Sequence, residues 1–210
     1  LPFEQKTQTH RITLFGIKGG VGRSTVLVVW AWRLAKDGYR VMVVDLDLES
    51  PGVTTTMLPH TYLPEYGIVD WFVEEGVGQA GIVEQAMVAE SPLAKDLPGT
   101  IRIVPAYGTR TGGYLPKLSR CYAGIHGDAG GTWSERVLRM VETMELKEKP
   151  DVVFFDSRSG IHDIAAVLVT RMGAHSFLFA VESAQTWVAY AFLFQHWSEH
   201  PEVEGFRQKI

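Results

Sequence analysis

The chain has 210 residues, of which 46% are hydrophobic and 21% are charged, as in an ordinary soluble protein with a substantial core. Its formal net charge of -4 excludes a strong attraction of the whole surface to nucleic acid, although a local basic patch is compatible with that charge. The single cysteine, Cys121, excludes an internal disulfide and agrees with a reducing cytoplasm, which is the predicted location.

The ends and the apolar runs of the chain indicate how the protein relates to membranes and how many domains it has. The longest apolar runs, residues 26–32 and 187–194, are too short to cross a bilayer, so any association with a membrane is expected to be peripheral. The first residues lack the apolar centre of a signal peptide. Because the chain does not begin with methionine, we expect it to be a fragment, and its length suits a single domain over residues 1–210.

In chain order, residues 11–15 predict the first strand and residues 24–36 the first helix, joined by the glycine-rich stretch FGIKGGVGRST. Glycines let a backbone turn tightly and bring its N–H groups close to phosphate oxygens. The start of a helix adds unpaired N–H groups and the positive end of its dipole. This order predicts a phosphate-binding loop, in which the Ser24 hydroxyl would ligate an accompanying magnesium ion. The alternative is a glycine-rich turn with incidental charges.

The glycine-rich stretch meets the usual spacing, Gly-x-x-x-x-Gly-Lys-Ser/Thr, only in part. Ile17 stands where the first glycine should fall, Arg23 stands at the lysine position, and Lys18 precedes the glycine pair. The string KGGVGRST closely resembles the deviant Walker A loop of the ParA/MinD family of ATPases, usually written KGGxGKS/T. That resemblance implies that ATP and magnesium bind here, and that Lys18 reaches across a dimer interface to the other subunit's nucleotide. The residues that it implies in nucleotide binding are Lys18, Gly19, Gly20, Val21, Gly22, Arg23, Ser24 and Thr25.

The next two elements lead to a pair of acids. Residues 26–35 are apolar on nearly every side of the expected helix, which predicts that the helix is buried. Residues 40–45 contain the run VMVV of a parallel strand covered on both faces, and this strand ends in Asp45. Asp47 shares a face with Asp45 if the extended geometry persists, so both would face magnesium and phosphate. DLDLESPG resembles the switch I stretch of the family, which implies that Asp47 positions the attacking water and that Asp45 lies nearer the metal; a pair of solvated loop acids is the alternative.

The rest of the chain predicts a further series of helices and strands. The helices are expected at residues 68–75, 82–90, 132–149, 161–172 and 184–197, and the strands at residues 101–105, 152–155 and 176–181. Residues 106–131 show no regular pattern, and a connection of that length is usually functional or mobile. Three cations, Arg110, Lys117 and Arg120, make it locally basic, so it is interpreted either as a contact for a partner or as a solvated loop.

An aspartate after an apolar strand forms the second anchor of the predicted site. Asp156 follows the strand at residues 152–155 and begins the string DSRSG, a Walker B arrangement in which its carboxylate would hold the magnesium shell opposite Ser24. In the ParA/MinD family this segment commonly reads DTPPG, so the switch II movements of the family carry over less directly. Arg158 is interpreted as a sensor of the terminal phosphate or of a partner, with a surface ion pair as the alternative.

These features together predict an α/β fold, doubly wound, with a mostly parallel sheet and helices on both faces, as in P-loop NTPases. Relatives continue with at least one more strand, whose end often reads adenine, and no such element follows here. The domain is therefore predicted to lack its C-terminal base-recognition part, and preference for ATP over GTP rests on the resemblance alone.

The resemblance implies an ATPase switch that binds and slowly hydrolyses Mg-ATP in a nucleotide-dependent homodimer. Such a switch would partition, position or regulate a partner protein, with DNA among the candidate partners. Arginine does not replace lysine conservatively, so Arg23 predicts retained nucleotide binding with slow turnover. The alternatives are a nucleotide-sensing signalling module without useful hydrolysis and a P-loop kinase of related fold.

Overall fold

A computed structural model of the chain describes residues 9–123, 131–160 and 172–199. These residues form six strands, seven α-helices and two short 3-10 helices, the last at His60–Tyr62 and Pro92–Ala94. In chain order they are β1 (His10–Gly16), α1 (Arg23–Lys36), β2 (Arg40–Asp45), α2 (Gly52–Met57), α3 (Ile68–Glu75), α4 (Ala80–Glu84), β3 (Ala89–Glu90), β4 (Thr100–Val104), α5 (Tyr114–Ala123), α6 (Trp133–Glu148), β5 (Val152–Asp156), β6 (His175–Phe179) and α7 (Ala184–Ser198).

The strands form one sheet in the order β3-β4-β2-β5-β1-β6. All neighbouring pairs are parallel except β3 and β4, which are antiparallel. Successive residues of β2 face opposite sides: Met42 and Val44 pack with α3, α5 and α6, whereas Val41 and Val43 pack with α1 and α2. The predicted doubly wound α/β fold, with a mostly parallel sheet and helices on both faces, is therefore confirmed.

The carboxyl ends of three strands meet at one edge of this sheet. Asp45 at the end of β2 is the register partner of Asp156 at the end of β5, and Asp156 is also the partner of Leu14 in β1. The Leu46 N–H donates to the Asp156 carbonyl at 2.8 Å, which holds the first residue after β2 beside β5. The loop between β1 and α1 leaves the sheet at the same edge, so the topology gathers the predicted site residues.

Helix α1 is less buried than its composition predicts. Leu27, Ala31 and Ala35 form its buried stripe, but Val29 is 60% exposed and Trp32 is 38% exposed. The prediction of a helix buried on nearly every side is wrong because the sheet covers one side only, and the outer side faces solvent in the described part of the chain.

Two predictions for the middle of the chain are also wrong. Residues 82–90 are not one helix, since α4 ends at Glu84 and Ala89 pairs with Ile103 at the edge of the sheet. Residues 106–131 are not irregular throughout, since α5 occupies Tyr114–Ala123 and packs against α3. In the first place pairing with β4 decides the backbone, and local sequence does not record such a contact. In the second place Tyr114, Leu118 and Cys121 have helical spacing, which the prediction overlooked.

The last part of the chain follows the prediction more closely. Helix α6, predicted at residues 132–149, begins with a capping box, in which the Thr132 N–H donates to the Glu135 carboxylate at 2.7 Å. Strand β6 begins and ends earlier than predicted, at His175 and Phe179. The predicted helix at residues 161–172 lies, apart from its last residue, outside the described residues. No helix in the described ranges combines the length and the apolar character needed to cross a membrane.

Candidate nucleotide-binding site

The loop between β1 and α1 has the backbone of an anion site. Gly20 and Gly22 adopt φ values of 73° and 86°, which residues with a side chain rarely reach. Gly22 is the N-cap residue of α1, no side chain caps the helix there, and its first turn contains no acidic residue. The first N–H groups of α1 are therefore left for a ligand, and the helix dipole favours an anion at this place.

A hydroxyl and a carboxylate meet beside this loop. Ser24, in the first turn of α1, has its Oγ 3.0 Å and 3.3 Å from the two carboxylate oxygens of Asp156 at the end of β5. Burial raises the pKa of Asp156 to about 6, and the hydrogen bond from Ser24 opposes that rise. The structure thus brings together the two residues predicted to organise magnesium, which prefers hydroxyl and carboxylate oxygens.

Asp45, the third predicted metal ligand, is bonded to protein groups. It is fully buried, one carboxylate oxygen accepts from the Thr54 amide at 2.8 Å and the Thr54 hydroxyl at 2.7 Å, and the other accepts from the Asp47 N–H at 3.2 Å. Burial, and secondly the charge of Asp156, raise the pKa of Asp45 to about 7. Asp45 therefore fixes the segment after β2 and adds a second carboxyl group behind Asp156.

Thr54 is a site-supporting residue that the sequence analysis did not identify. Its hydroxyl donates to Asp45 and accepts from the Ala106 N–H at 3.0 Å, so it joins the ends of β2 and β4. The residues around it lack periodicity, and the only available signal was Pro51-Gly52, which can begin a helix that places Thr54 in its first turn.

Asp47 lies on the loop after β2 and is half-buried. Its carboxylate accepts from the Ser50 N–H at 3.1 Å, which holds it in the turn. Burial raises its pKa, while the charges of Arg23 and Arg158 oppose that rise. Arg158 itself forms an ion pair with Glu49 on the same loop, so the surface ion pair considered for it is present.

The two cations of the glycine loop, Lys18 and Arg23, form hydrogen bonds with different segments of the chain. Arg23 is 8% exposed, and its Nη1 donates to the Ser157 carbonyl at 2.8 Å, at the end of β5. Lys18 is partly exposed, and its Nζ lies 3.4 Å from the Ser183 hydroxyl, which caps α7.

A second missed element, α5, forms a wall beside the loop that carries Asp47. The Tyr114 hydroxyl donates to the Leu48 carbonyl, and burial raises the pKa of this phenol. An open cavity of about 300 Å³ lies there, lined by Pro51, Tyr107, Thr111 and Tyr114. The helical spacing of Tyr114, Leu118 and Cys121 was an available signal for α5. Its contact with the loop after β2 could not be predicted, because it joins residues far apart along the chain.

These residues fit a magnesium-bound phosphate chain. The uncapped start of α1 and the two positive-φ glycines supply donors in an open loop, since a Cβ at Gly20 or Gly22 would meet nothing within 4 Å. Ser24 and Asp156 supply oxygen ligands of the type that magnesium binds. The Ser157 hydroxyl is buried without a hydrogen-bond partner among the described residues, so one more polar atom beside Asp156 awaits a partner.

Comparison with known proteins agrees with this geometry. Residues 7–66 match a model of the ParA family, described as NUBPL iron-transfer P-loop NTPase, and this range holds the glycine loop, Asp45 and Asp47. This segment of the chain is therefore similar to the P-loop proteins of the ParA family. HCF101, a chloroplastic Fe-S cluster assembly factor of Arabidopsis thaliana, is 38% identical over 65 residues, which are 31% of this chain and 12% of that protein.

Solved structures show a likeness of fold over most of the chain. Cobyrinic acid a,c-diamide synthase from Mycobacterium smegmatis, with a bound ATP analogue and magnesium, matches at a TM-score of 0.62 and 17% identity, over 89% of this chain and 66% of its own. A ParA family ATPase from Chlorobium tepidum TLS matches at a TM-score of 0.61 and 13% identity, over 92% of this chain and 70% of its own. At these identities the likeness is one of fold.

Proposed function

We propose that this chain is a nucleotide-dependent switch, which binds Mg-ATP and hydrolyses it slowly as a homodimer. One observation carries the proposal: the uncapped start of α1 and the Ser24–Asp156 pair lie together at the carboxyl edge of the sheet. The helix start offers N–H donors to phosphate oxygens, and the pair offers oxygen ligands to a cation. The bound ATP analogue and magnesium in a protein of the same fold support both assignments.

In this proposal the binding residues are those of the loop and of the strand ends. The backbone of residues 19–25 donates to the phosphates, and Ser24 and Asp156 hold magnesium, with Asp45 as the deeper carboxyl group behind them. Bound magnesium supplies positive charge against the phosphate oxygens. The described part of the chain has few other cations at this edge, and Arg23 is the buried one.

In this proposal Asp47 orients the attacking water molecule. Its carboxylate is held by the Ser50 N–H at 3.1 Å, and its own N–H is bonded to Asp45 at 3.2 Å. Fixed on both sides, the carboxylate can accept a hydrogen bond from water without reorganising, which is the main requirement of phosphoryl transfer.

Dimerisation is proposed to bring Lys18 to the nucleotide of the other subunit. In the single chain Lys18 is held by one hydrogen bond of 3.4 Å to Ser183, on a partly exposed side chain. A bond of that kind contributes about 1 kcal/mol or less, so a phosphate on a second subunit would outcompete it. Hydrolysis would then depend on formation of the homodimer. We propose that the protein is cytoplasmic and that it regulates or positions a partner protein, with DNA or a peripheral membrane site as further candidates for its partner.

The description of the matching family model refers to iron transfer and the name of one relative to Fe-S clusters, and the surroundings of Cys121 do not favour binding of a cluster by this side chain. Cys121 is fully buried and its pKa is raised by burial to about 12, so its thiol stays protonated, whereas a ligand must be a thiolate. The described ranges contain no group of three or more His, Cys, Asp or Glu side chains arranged for a metal ion.

The proposal is tested by binding of a fluorescent ATP analogue with and without magnesium. Asp156→Asn is expected to remove the magnesium-dependent part of the affinity, because the neutral amide is a poor ligand for a hard cation. Asp151→Asn is the matched control, since Asp151 pairs with Arg40 at the amino ends of β5 and β2, away from the candidate site. Equal magnesium dependence in both variants and the unsubstituted protein would contradict the assignment.

A nucleotide sensor without useful hydrolysis is the second candidate, and the position of Arg23 favours it. Its guanidinium is bonded to Ser157, where the usual lysine would be free to follow the phosphates. Phosphate release by the unsubstituted protein and by Asp47→Ala separates the two candidates. Release that is lost in the variant supports the ATPase, whereas tight binding with no release in either protein supports the sensor.

A further inference from the structure

The turn that follows β5 lies directly against the glycine loop. The Gly160 N–H donates to the Gly16 carbonyl at 3.1 Å, which fixes the end of the turn to the end of β1. The Ser159 hydroxyl lies 3.5 Å from the place that a Cβ on Gly19 would occupy. Residues 157–160 therefore occupy the space beside the loop that a phosphate would approach.

Arg23 holds the beginning of the same turn. Its Nη1 donates to the Ser157 carbonyl at 2.8 Å, and the side chain is 8% exposed. A lysine ends one atom earlier and lacks the planar fork of donors, so it would not reproduce this contact.

Gly16 makes room for the arginine. A Cβ on Gly16 would lie 3.0 Å from Cδ and 3.3 Å from Nε of Arg23, and 3.3 Å from the Phe179 carbonyl oxygen on β6. Gly16 is not among the glycines with positive φ, so its missing side chain meets a steric requirement and not a conformational one. Gly16 and Arg23 thus form a matched pair, in which a small residue on β1 accommodates a long cation from α1.

The guanidinium also lies within electrostatic reach of the carboxylates of the site. Its charge opposes the rise of the pKa of both Asp47 and Asp156. A phosphate held by the loop would enter the same neighbourhood. Because a phosphate oxygen is charged and a carbonyl oxygen is not, the phosphate is the stronger acceptor for the guanidinium, by roughly a factor of two in hydrogen-bond energy.

We propose that Arg23 is a positioning residue, which ties the turn at residues 157–160 to the glycine loop until a nucleoside triphosphate takes over its guanidinium. The proposal rests on the proposed function of the loop. The turn then changes with the nucleotide state. The Arg158–Glu49 ion pair joins the turn to the loop that carries Asp47.

The hydrogen bond from Arg23 to the Ser157 carbonyl is called the tie below. Hydrogen exchange of residues 157–160, measured by mass spectrometry, tests the tie without any ligand. Arg23→Lys is expected to raise the exchange of this turn roughly tenfold, the factor of one hydrogen bond from a charged group. Arg33→Lys is the matched control, because Arg33 is on the same helix in an exposed pair with Asp37. Unchanged exchange in Arg23→Lys would overturn the tie.

A second pair of variants covers the case in which Arg23→Lys does not fold. Gly16→Ala is expected to push Arg23 from the Ser157 carbonyl and to raise exchange in the same turn, since the new Cβ meets Cδ at 3.0 Å. Gly81→Ala is its control, because a Cβ there would meet nothing within 4 Å. Equal exchange of the turn in these two variants would also overturn the tie.

Addition of nucleotide tests the release, that is, whether a triphosphate takes the Arg23 guanidinium from the turn. A non-hydrolysable ATP analogue with magnesium is expected to raise exchange of the turn in the unsubstituted protein, ADP to raise it less, and neither to change it much in Arg23→Lys. Protection of the turn by the triphosphate, or an equal response in both proteins, would overturn the release. If fluorescence shows no nucleotide binding at all, the proposed function and the release both fail, while the ligand-free comparison still decides the tie.

Discussion

Asp45 should make the stability of the ligand-free protein depend on pH. Its carboxyl group is fully buried, and burial, followed by repulsion from Asp156, raises its pKa from 3.8 to about 7. In the unfolded chain the group titrates near its ordinary value, so between the two pKa values the folded state holds a proton that the unfolded state has lost. Because the folded-state pKa is the higher one, this stability is present at low pH and is lost as the pH rises through about 7.

The size of the effect follows from the shift. At 1.36 kcal/mol per pKa unit, the free energy of unfolding is expected to fall by roughly 2–3 kcal/mol between pH 5 and pH 8. Asp156, whose pKa is raised to about 6 by burial, acts in the same direction over a narrower range. Urea unfolding in the presence of EDTA and without nucleotide measures the change directly.

Two aspartate variants isolate the source of this dependence. Asp45→Asn removes the titrating group, so its free energy of unfolding should change less over the same pH range. Asp151→Asn should keep the full dependence, because Asp151 lies beside Arg40, which lowers the pKa of its carboxyl group and places its titration at more acid pH. A free energy of unfolding that is constant or rises from acid to neutral pH in the unsubstituted protein would refute the reasoning.

Two further substitutions test the supports of the site. Thr54→Val is expected to lower the free energy of unfolding by about 2–4 kcal/mol, because Asp45 and the Ala106 N–H both lose a buried partner. Thr54→Ser should retain most of the stability in urea unfolding, and equal losses would contradict this role of the hydroxyl. Lys18→Ala should bind a fluorescent ATP analogue nearly as well as the unsubstituted protein, yet show less dimer in analytical ultracentrifugation and less phosphate release. Normal pairing and release in this variant would argue against a cross-subunit lysine.

The parts of the site that could be predicted are those with strong local signals. The glycine loop carries its own backbone requirement, visible as Gly20 and Gly22 at positive φ. The apolar runs that end in Asp45 and Asp156 predict parallel strands, and parallel strands place their carboxyl ends at one edge. The contact between Ser24 and Asp156 then follows from topology, although the two residues are far apart in sequence.

The parts that could not be predicted depend on contacts between distant segments. Helix α5 packs Leu118 and Cys121 into the core around α3. Together with Tyr114 these residues have helical spacing, a signal that the interpretation of residues 106–131 as irregular overlooked. Strand β3 consists of two residues, too few for a pattern, and exists because it pairs with β4. The direction of Arg23 likewise depends on the missing side chain of Gly16 and on the Ser157 carbonyl.

The electrostatics of the edge connect the pH prediction to the proposed function. Asp45 and Asp156 are buried beside each other: burial and the charge of Asp156 raise the pKa of Asp45, and burial raises the pKa of Asp156 while the charge of Arg23 opposes that rise. A divalent cation would relieve the same repulsion more strongly, and it binds carboxylates only in their deprotonated form. Binding of Mg-ATP should therefore release protons near neutral pH and flatten the dependence of stability on pH. The carboxyl groups that destabilise the ligand-free protein at neutral pH are therefore the groups expected to make the site selective for a cation.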